Sequence, residues 1–235
     1  MKLIINDLSK SYGDKTVLEN INFTFESGKI YGLIGRNGSG KTTLFNCINE
    51  DVESDSGTIY LEKNNTKNLI TTNDIGYVVS TPNVPEFLTA KEFLKFYLDI
   101  NKDTIKDLKT IEEYFKIVDI KKNDQDKLMK DFSHGMKNKM QMLINIIKTP
   151  SVLLLDEPLT SLDIVVQEEM KEVLKQQKKN SILIFSTHIL ELALNLCDEI
   201  VIINNKNLEL IEKKHLNNNK YKDKIIKALK DSNNV

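Results

Sequence analysis

The spacing of apolar residues divides the chain into three regions, and the first of them is rich in strands. Residues 16–25 alternate polar and apolar side chains, which predicts antiparallel strands in the opening third. Short apolar runs at 29–34, 57–61 and 75–79 are further strand candidates. This region is therefore expected to contain an N-terminal antiparallel β-subdomain.

The middle region has helical periodicity. Thr89 and Glu92 form a capping box, and the apolar side chains after them recur along one helical face. A second helix is predicted to carry the apolar positions between Ile105 and Val118, and a third to follow Ser133. Together these helices predict an inserted α-helical subdomain over about residues 85–148.

From residue 151 the chain alternates between strands and helices. Strands are predicted at residues 152–155, 181–186 and 199–203, and helices at residues 164–177 and 189–196. Such alternation favours a mainly parallel α/β core. The polar stretch that begins at Asn217 is expected to be a loop before a short terminal helix. The fold class is therefore α/β, and residues 1–235 are expected to form a single domain that contains the helical insertion.

Composition limits the possible partners. The 235 residues are 40% hydrophobic and carry a net charge of −1, and Arg36 is the only arginine. No nucleic-acid partner is expected, because such proteins are usually basic and use arginine for phosphate and base contacts. No apolar run approaches the ~20 residues that span a bilayer, so a cytosolic protein is predicted. Cys47 and Cys197 fall in predicted apolar helices and are expected to be reduced core residues.

A glycine-rich stretch follows the strand candidate at residues 29–34. Residues 35–42 read Gly-Arg-Asn-Gly-Ser-Gly-Lys-Thr and match the phosphate-binding loop G-x-x-x-x-G-K-[ST] at every fixed position. The residues expected to contact a nucleotide are Gly35, Arg36, Asn37, Gly38, Ser39, Gly40, Lys41, Thr42 and Thr43. Lys41 is placed to reach the β- and γ-phosphates and Thr42 to hold Mg²⁺, neither of which a simple turn would require. The chain is therefore expected to bind a nucleoside triphosphate with Mg²⁺.

Two further strands end in residues suited to hydrolysis. The strand at 152–155 is followed by Asp156, placed to hold the Mg²⁺ shell through water, and by Glu157, placed to polarise an attacking water. His188 follows the next apolar strand and is expected to contact the γ-phosphate. With Lys41, Glu157 and His188 form the expected catalytic set. The structural alternatives are an ordinary strand exit for the two carboxylates and a capping role for His188.

These motifs, in this order and spacing, resemble those of the ATP-binding cassette (ABC) ATPases over essentially the whole chain. The resemblance rests on residues 35–42, 155–158, 161–163 and 188. It implies a P-loop NTPase core of the RecA-like type that binds ATP, and it implies that Tyr12 stacks on adenine. It also implies that Asp163, in the loop Ser161-Leu-Asp, faces a second subunit, although Asp163 is equally suited to cap a helix.

Two segments depart from the family. The signature Leu-Ser-Gly-Gly-Gln would map to residues 132–136, where only Ser133 and Gly135 match fully. The resemblance implies that these two residues bind the γ-phosphate held by the P-loop of a partner copy. The glutamine that the family places after the Gly-Tyr strand is replaced by Ser80. Because serine is shorter, its contact with Mg²⁺ and the lytic water would either run through a bridging water or be lost. Asn83 is the alternative source of that amide.

The resemblance implies an ATP-hydrolysing cytosolic subunit of an ABC transporter, working as a homodimer at the cytoplasmic face of the membrane. Separate permease subunits would dock on the helical insertion. The P-loop, the stretch after Val79 and the signature look like those of cassettes that partner ABC-2-type antibiotic or peptide exporters, so export is expected while uptake stays open. The alternative is a non-transport cassette that docks a soluble partner, as in iron–sulfur cluster assembly. A repair-type cassette and a P-loop kinase are weaker alternatives, because the chain has no long coiled-coil insertion, basic face or basic lid.

Overall fold

The computed structural model describes residues 1–105, 107–159, 162–212 and 225. Within these residues the strands are β1 (Lys2–Tyr12), β2 (Lys15–Glu26), β3 (Ile30–Ile34), β4 (Ser56–Lys63), β5 (Thr66–Leu69), β6 (Ile75–Val78), β7 (Val152–Asp156), β8 (Ile182–Thr187), β9 (Glu199–Asn204) and β10 (Asn207–Glu212). The helices are α1 (Lys41–Ile48), α2 (Ala90–Asn101), α3 (Ile111–Ile117), α4 (Lys122–Gln125), α5 (His134–Ile147), α6 (Ile164–Gln177) and α7 (Leu190–Leu196). None of these described helices is long and apolar enough to cross a bilayer. The terminal helix predicted beyond Asn217 lies outside the described residues.

Four strands form an antiparallel sheet in the order β2-β1-β4-β5. Leu3 of β1 pairs with Phe25 of β2 on one side and with Leu61 of β4 on the other, and all three side chains are buried. The alternation at residues 16–25 is therefore the alternation of a half-buried strand, with one apolar face packed on the core. The predicted antiparallel β-subdomain is confirmed.

The other six strands form a sheet in the order β10-β9-β3-β8-β7-β6. β3, β6, β7, β8 and β9 run parallel to one another, which confirms the mainly parallel core. β10 is antiparallel to β9, and the sequence does not predict it. Asn205 and Lys206, in the turn between these strands, have φ of 48° and 63°, the left-handed values of a tight hairpin. Asn-Lys is a weaker hairpin signal than Asn-Gly, so the turn escapes detection.

The segment between β6 and β7 holds helices α2 to α5. Thr89 caps α2 as predicted, because its side chain accepts a hydrogen bond from the backbone N of Glu92. The second predicted helix is shorter than its apolar periodicity indicates. Thr110 and Glu113 form another capping box, which starts α3 after Thr110 and leaves Ile105 in the preceding loop. The third helix is confirmed as α5.

The six-stranded sheet is covered on both faces. On one face, Ile30 and Ile34 of β3 belong to the apolar cluster that contains side chains of α5, α6 and α7. On the other face, Tyr31 and Leu33 belong to the cluster of the antiparallel sheet and α1. This double cover explains why β3, β7 and β8 are buried along their whole length. The loops that follow these three strands therefore emerge together at one edge of the sheet, where polar groups can meet a ligand.

Two cysteines lie in this core. Cys47 on α1 and Cys197 at the end of α7 are buried and form no disulfide, as the sequence predicts. Burial raises the pKa of the Cys47 thiol to about 11, so this thiol stays protonated at neutral pH. Both cysteines therefore serve as small apolar side chains rather than as reactive groups.

Candidate nucleotide-binding and hydrolytic site

The glycine-rich loop connects the buried strand β3 to the N-terminus of α1. At two of its glycines, Gly35 and Gly40, a side chain would not fit. A Cβ at Gly35 would lie 2.3 Å from Cγ2 of Ile203 and 2.4 Å from Oγ of Ser39, and Gly40 has a φ of 107° with Val17 2.9 Å from its missing Cβ. The Oγ of Ser39 is buried without a hydrogen-bond partner among the described residues. A loop that curls this tightly and keeps a polar atom unpaired suits an anionic ligand.

Lys41 is the buried cation of the loop. Its side chain is 5% exposed, and its Nζ donates hydrogen bonds to the backbone carbonyls of Gly35, at 2.8 Å, and Arg36, at 3.1 Å. The Oε1 of Glu157 is 3.8 Å from Nζ, which makes an ion pair but is too long for a hydrogen bond. Burial lowers the pKa of Lys41, while Glu157 and Asp156 act in the opposite direction. Two of the three N–H groups of the Lys41 ammonium are thus bonded to the glycine-rich loop, and the third can donate to a ligand.

Asp156 connects the end of β7 to α1 and β8. The hydroxyl of Thr42 donates to its Oδ2 at 2.8 Å, and the hydroxyl of Ser186 donates to its Oδ1 at 2.5 Å. The Ser186 hydroxyl in turn accepts from the backbone N of Glu157 at 3.0 Å. A threonine hydroxyl and a carboxylate in contact are the oxygen ligands that Mg²⁺ prefers, so the residues present fit the expected metal. Ser186 is a site residue that the sequence motifs do not single out.

Glu157 and His188 form a contact pair at the ends of β7 and β8. Nδ1 of His188 lies 3.1 Å from each carboxylate oxygen of Glu157. A carboxylate only accepts, so the contact requires the proton on Nδ1. Glu157 has a φ of 48°, a left-handed conformation that is unusual for a residue other than glycine. The structure therefore places His188 against the same carboxylate that faces Lys41.

One open cleft of about 390 Å³ joins Lys41, Thr42, Asp156 and Glu157, and His188 is not among the residues that line it in the described part of the chain. Its lining residues are Tyr12, Lys15, Val17, Asn37, Gly38, Gly40, Lys41, Thr42, Thr43, Ser80, Asp156 and Glu157. Tyr12 lines the cleft and is half-exposed, so its ring is accessible to a ligand. Ser80 lines the cleft as the predicted register requires, and Asn83 is not among the lining residues in the described part of the chain. Lys15 and Val17 on β2 are additions, marked in the sequence only as the start of an alternating strand.

The signature and the loop before α6 lie outside this lining but next to each other. Ser133 caps α5 by accepting from the backbone N of Met136 at 3.2 Å, and Asp163 caps α6 by accepting from the backbone N of Val166 at 3.0 Å. A Cβ added to Gly135 would lie 3.4 Å from Val166. The capping alternative for Asp163 is thus realised, and it leaves the other carboxylate oxygen available. Ser161 lies outside the described residues.

Comparisons with known proteins identify a family and two relatives. A family profile described as ABC transporter matches residues 18–160. An uncharacterized ABC transporter ATP-binding protein of Methanocaldococcus jannaschii is 31% identical over 206 residues, which cover 86% of this chain and 74% of that protein. A probable sulfate/thiosulfate import ATP-binding protein, CysA, of Chlorella vulgaris is 30% identical over 209 residues, which cover 87% of this chain and 88% of that protein.

A solved structure extends the comparison to the fold. It is a dimeric post-hydrolysis state of an ATP-binding cassette bound to ADP and Pi, with a TM-score of 0.75 and 20% identity. The match covers 90% of this chain and 98% of the solved one. The likeness confirms the P-loop NTPase fold, with its antiparallel β-subdomain and helical elements.

Proposed function

The chain belongs to the ABC transporter family of ATP-binding, ATP-hydrolysing proteins, and on that premise we propose that it powers a transporter through ATP-driven dimerisation and hydrolysis. The observation that carries the proposal is that Lys41 and Glu157 meet beside the Thr42–Asp156 contact in one cleft, while His188 contacts the carboxylate of Glu157. A phosphate-binding cation, a carboxylate base and a Mg²⁺ ligand pair are the groups that phosphoryl transfer to water needs.

Each residue has a distinct part in the reaction. The loop amides and Lys41 bind the β- and γ-phosphates, and Thr42 with Asp156 would hold Mg²⁺. The metal, when bound, neutralises charge on the phosphate oxygens. Glu157 accepts the proton of the attacking water, and His188 keeps its carboxylate aimed at the cleft. Ser80 lines the cleft wall, from which it would reach the water shell of the metal.

Dimerisation is proposed because the signature does not line its own cleft. Ser133 and Gly135 lie beside the start of α6, where Ile164 and Val165 are 78% and 67% exposed. Two adjoining large apolar side chains at that exposure indicate a surface that a partner covers. In a head-to-tail dimer, Ser133 of one copy would bind the γ-phosphate in the cleft of the other, and Asp163 would face the same boundary.

Separate permease subunits are the proposed partners of the helical insertion. That segment exposes four large apolar side chains, which are Phe87, Phe96, Ile100 and Leu108. Phe87 is the most exposed of them, at 79%. An exposed apolar surface of this kind favours a protein partner, and docking of a permease would bring the chain to the cytoplasmic face of the membrane. A soluble partner, as in iron–sulfur cluster assembly, is the alternative that copurification with a polytopic membrane protein would exclude.

We propose export as the direction of transport. The proposal rests on the likeness of the P-loop, the Ser-Thr-Pro-Asn stretch after Val79 and the signature to those of cassettes that partner small ABC-2-type export permeases. The relative from Chlorella vulgaris is named as an import protein, so the direction needs its own test. Accumulation of substrate inside inverted vesicles that contain the chain and its permease would support export, and loss of substrate from their lumen would contradict it.

The substitution Glu157→Gln tests the hydrolytic assignment. The amide keeps the shape of the side chain but cannot take a proton from water, so turnover should fall about a hundredfold or more while ATP still binds. Because the ATP-bound state then persists, the variant should elute as a dimer from a sizing column in ATP. Glu191→Gln, an exposed change on α7, serves as the matched control. Turnover equal to that of the parent would remove Glu157 from the mechanism.

A further inference from the structure

β6 is the edge strand of the six-stranded sheet, and side chains of α5 cover its free edge. The backbone N of Tyr77 donates to Oδ1 of Asn145 at 2.8 Å, and the carbonyl of Val79 accepts from Nε2 of Gln141 at 3.3 Å. Nδ2 of Asn145 donates to the backbone carbonyl of Gln141 at 2.9 Å, which ties the Asn145 side chain to the preceding turn of α5. The edge groups that another strand would pair are thus paired by one helix.

This contact joins the signature helix to the cleft. α5 begins at the cap Ser133, and the strand that it holds leads directly into Ser80 at the cleft wall. The Tyr77 hydroxyl donates to Oδ1 of Asn46 on α1 at 3.1 Å, so the same strand also contacts the helix that carries Lys41. The side chain of Gln141 thus contacts Val79, the residue immediately before Ser80.

Stability does not account for the amide of Gln141. Its side chain is 4% exposed, and because the Val79 carbonyl only accepts, Nε2 must face it. Oε1 is then buried with no partner among the described residues, which destabilises the folded state. An unbranched apolar side chain would avoid that penalty, and Val79 is partly exposed, so water could replace the lost donor. The amide is retained at a position where an apolar residue would suit the fold equally well.

We propose that Gln141 is a positioning residue for ATP hydrolysis, whose amide fixes the backbone at Val79 and thereby places Ser80 at the cleft. The inference rests on the role of Ser80 given under the proposed function. The signature helix α5 would then contact the hydrolytic site of its own subunit through Gln141, in addition to the contact that Ser133 would make with a partner.

The test is Gln141→Met in the full chain, because methionine keeps the length and removes the donor. We expect kcat for ATP to fall about fivefold to tenfold and KM to change less than twofold, since the loop that binds ATP belongs to another element. The melting temperature should stay level or rise, because the unpaired Oε1 is gone. Asn138→Leu is the matched control: Asn138 is a buried amide on the same helix with an unpaired Oδ1, but its Nδ2 donates to His134 of its own helix. Its kcat should equal that of the parent.

A double substitution separates positioning from general damage. Ser80→Ala should lower kcat by itself, and Gln141→Met in that background should lower it no further, because Gln141 acts through Ser80. Losses that multiply, an unchanged kcat, or a joint fall of kcat and melting temperature would each overturn the inference. If the parent hydrolyses ATP and the Ser80→Ala variant has the same kcat, the inference is also overturned, because Gln141 is proposed to act through Ser80. A parent chain without ATP hydrolysis would refute the proposed function itself and is measured first.

Discussion

Replacement of Lys41 by alanine should weaken ATP binding more than any other single change in the loop. Lys41 Nζ has two carbonyl partners in the loop, Gly35 and Arg36, and no third hydrogen bond among the described residues. Its remaining N–H is the one that a phosphate would accept. The side chain is also buried, so water does not screen the contact strongly.

The size of the effect follows from that geometry. A charge-assisted hydrogen bond contributes about 1.5–3 kcal/mol, which corresponds to a loss of roughly 10- to 100-fold in affinity for the phosphate contact alone. The alanine variant also leaves the carbonyls of Gly35 and Arg36 without their donor, so the loop loses its closed shape. Both effects weaken ATP binding, so the tenfold loss of affinity is a minimum.

Titration calorimetry with ATP and Mg²⁺ measures the change directly. Lys175→Ala is the control, because Lys175 forms an exposed ion pair with Glu172 on α6 and does not line the cleft. The control should bind ATP like the parent. Equal affinity in the parent and the Lys41→Ala variant would refute the assignment of residues 35–42 as the phosphate-binding loop.

Three further predictions concern the rest of the site. His188→Ala should slow turnover about tenfold or more with little change in ATP affinity, and unchanged turnover in a steady-state assay would reduce His188 to a cap. Ser133→Arg should leave ATP binding by the monomer intact and prevent ATP-dependent dimerisation on a sizing column; loss of nucleotide affinity in the monomer would place Ser133 in its own cleft. Ser80→Gln should raise basal ATP hydrolysis by about tenfold or less, equivalent to roughly 1.4 kcal/mol in the barrier, because the longer amide reaches the metal shell without a bridging water. A large loss of activity in Asn83→Ala but not in Ser80→Ala would contradict the register of this loop.

The residues proposed to bind phosphate and metal could be found from the sequence, because their chemistry constrains neighbours along the chain. The loop at residues 35–42 needs glycines at positions of tight curvature, followed at once by a lysine and a hydroxyl. Asp156 and Glu157 follow an uninterrupted apolar run. In each case the signal lies within about ten residues, so it survives without knowledge of the fold.

Contacts that join distant strands had no such signal. Ser186 holds Asp156 and Glu157 across two neighbouring strands, yet its own surroundings in the sequence are those of an ordinary buried strand. Lys15 and Val17 enter the cleft only because β2 passes beside the loop. The contacts of Gln141 and Asn145 on α5 could not be predicted from the sequence either, since polar residues on a mostly apolar helix commonly face solvent.

Predicted helix boundaries were wrong where two local sequence signals competed. The apolar positions around Ile105 continue the helical period of α3, but the capping box at Thr110 and Glu113 starts the helix later. A side-chain cap satisfies backbone donors that the extra turn would have left to water, and it prevails over weak periodicity. The hairpin to β10 shows the opposite case, in which a turn without glycine forms because Ile211, on the second strand, is buried in the core.

The backbone conformation of Glu157 explains how two adjacent carboxylates could take the different roles proposed for them. Along a regular strand, consecutive side chains point to opposite faces, which would send one of the two into a packed cluster. The left-handed φ of 48° ends the strand at Asp156 and turns Glu157 back towards the cleft. Such a conformation costs about 1 kcal/mol for a residue with a Cβ, and the hydrogen bond from its backbone N to Ser186 and the contact with His188 hold it there. Ser186 therefore positions both residues at once, Asp156 for its proposed role at the metal and Glu157 for its proposed role at the attacking water.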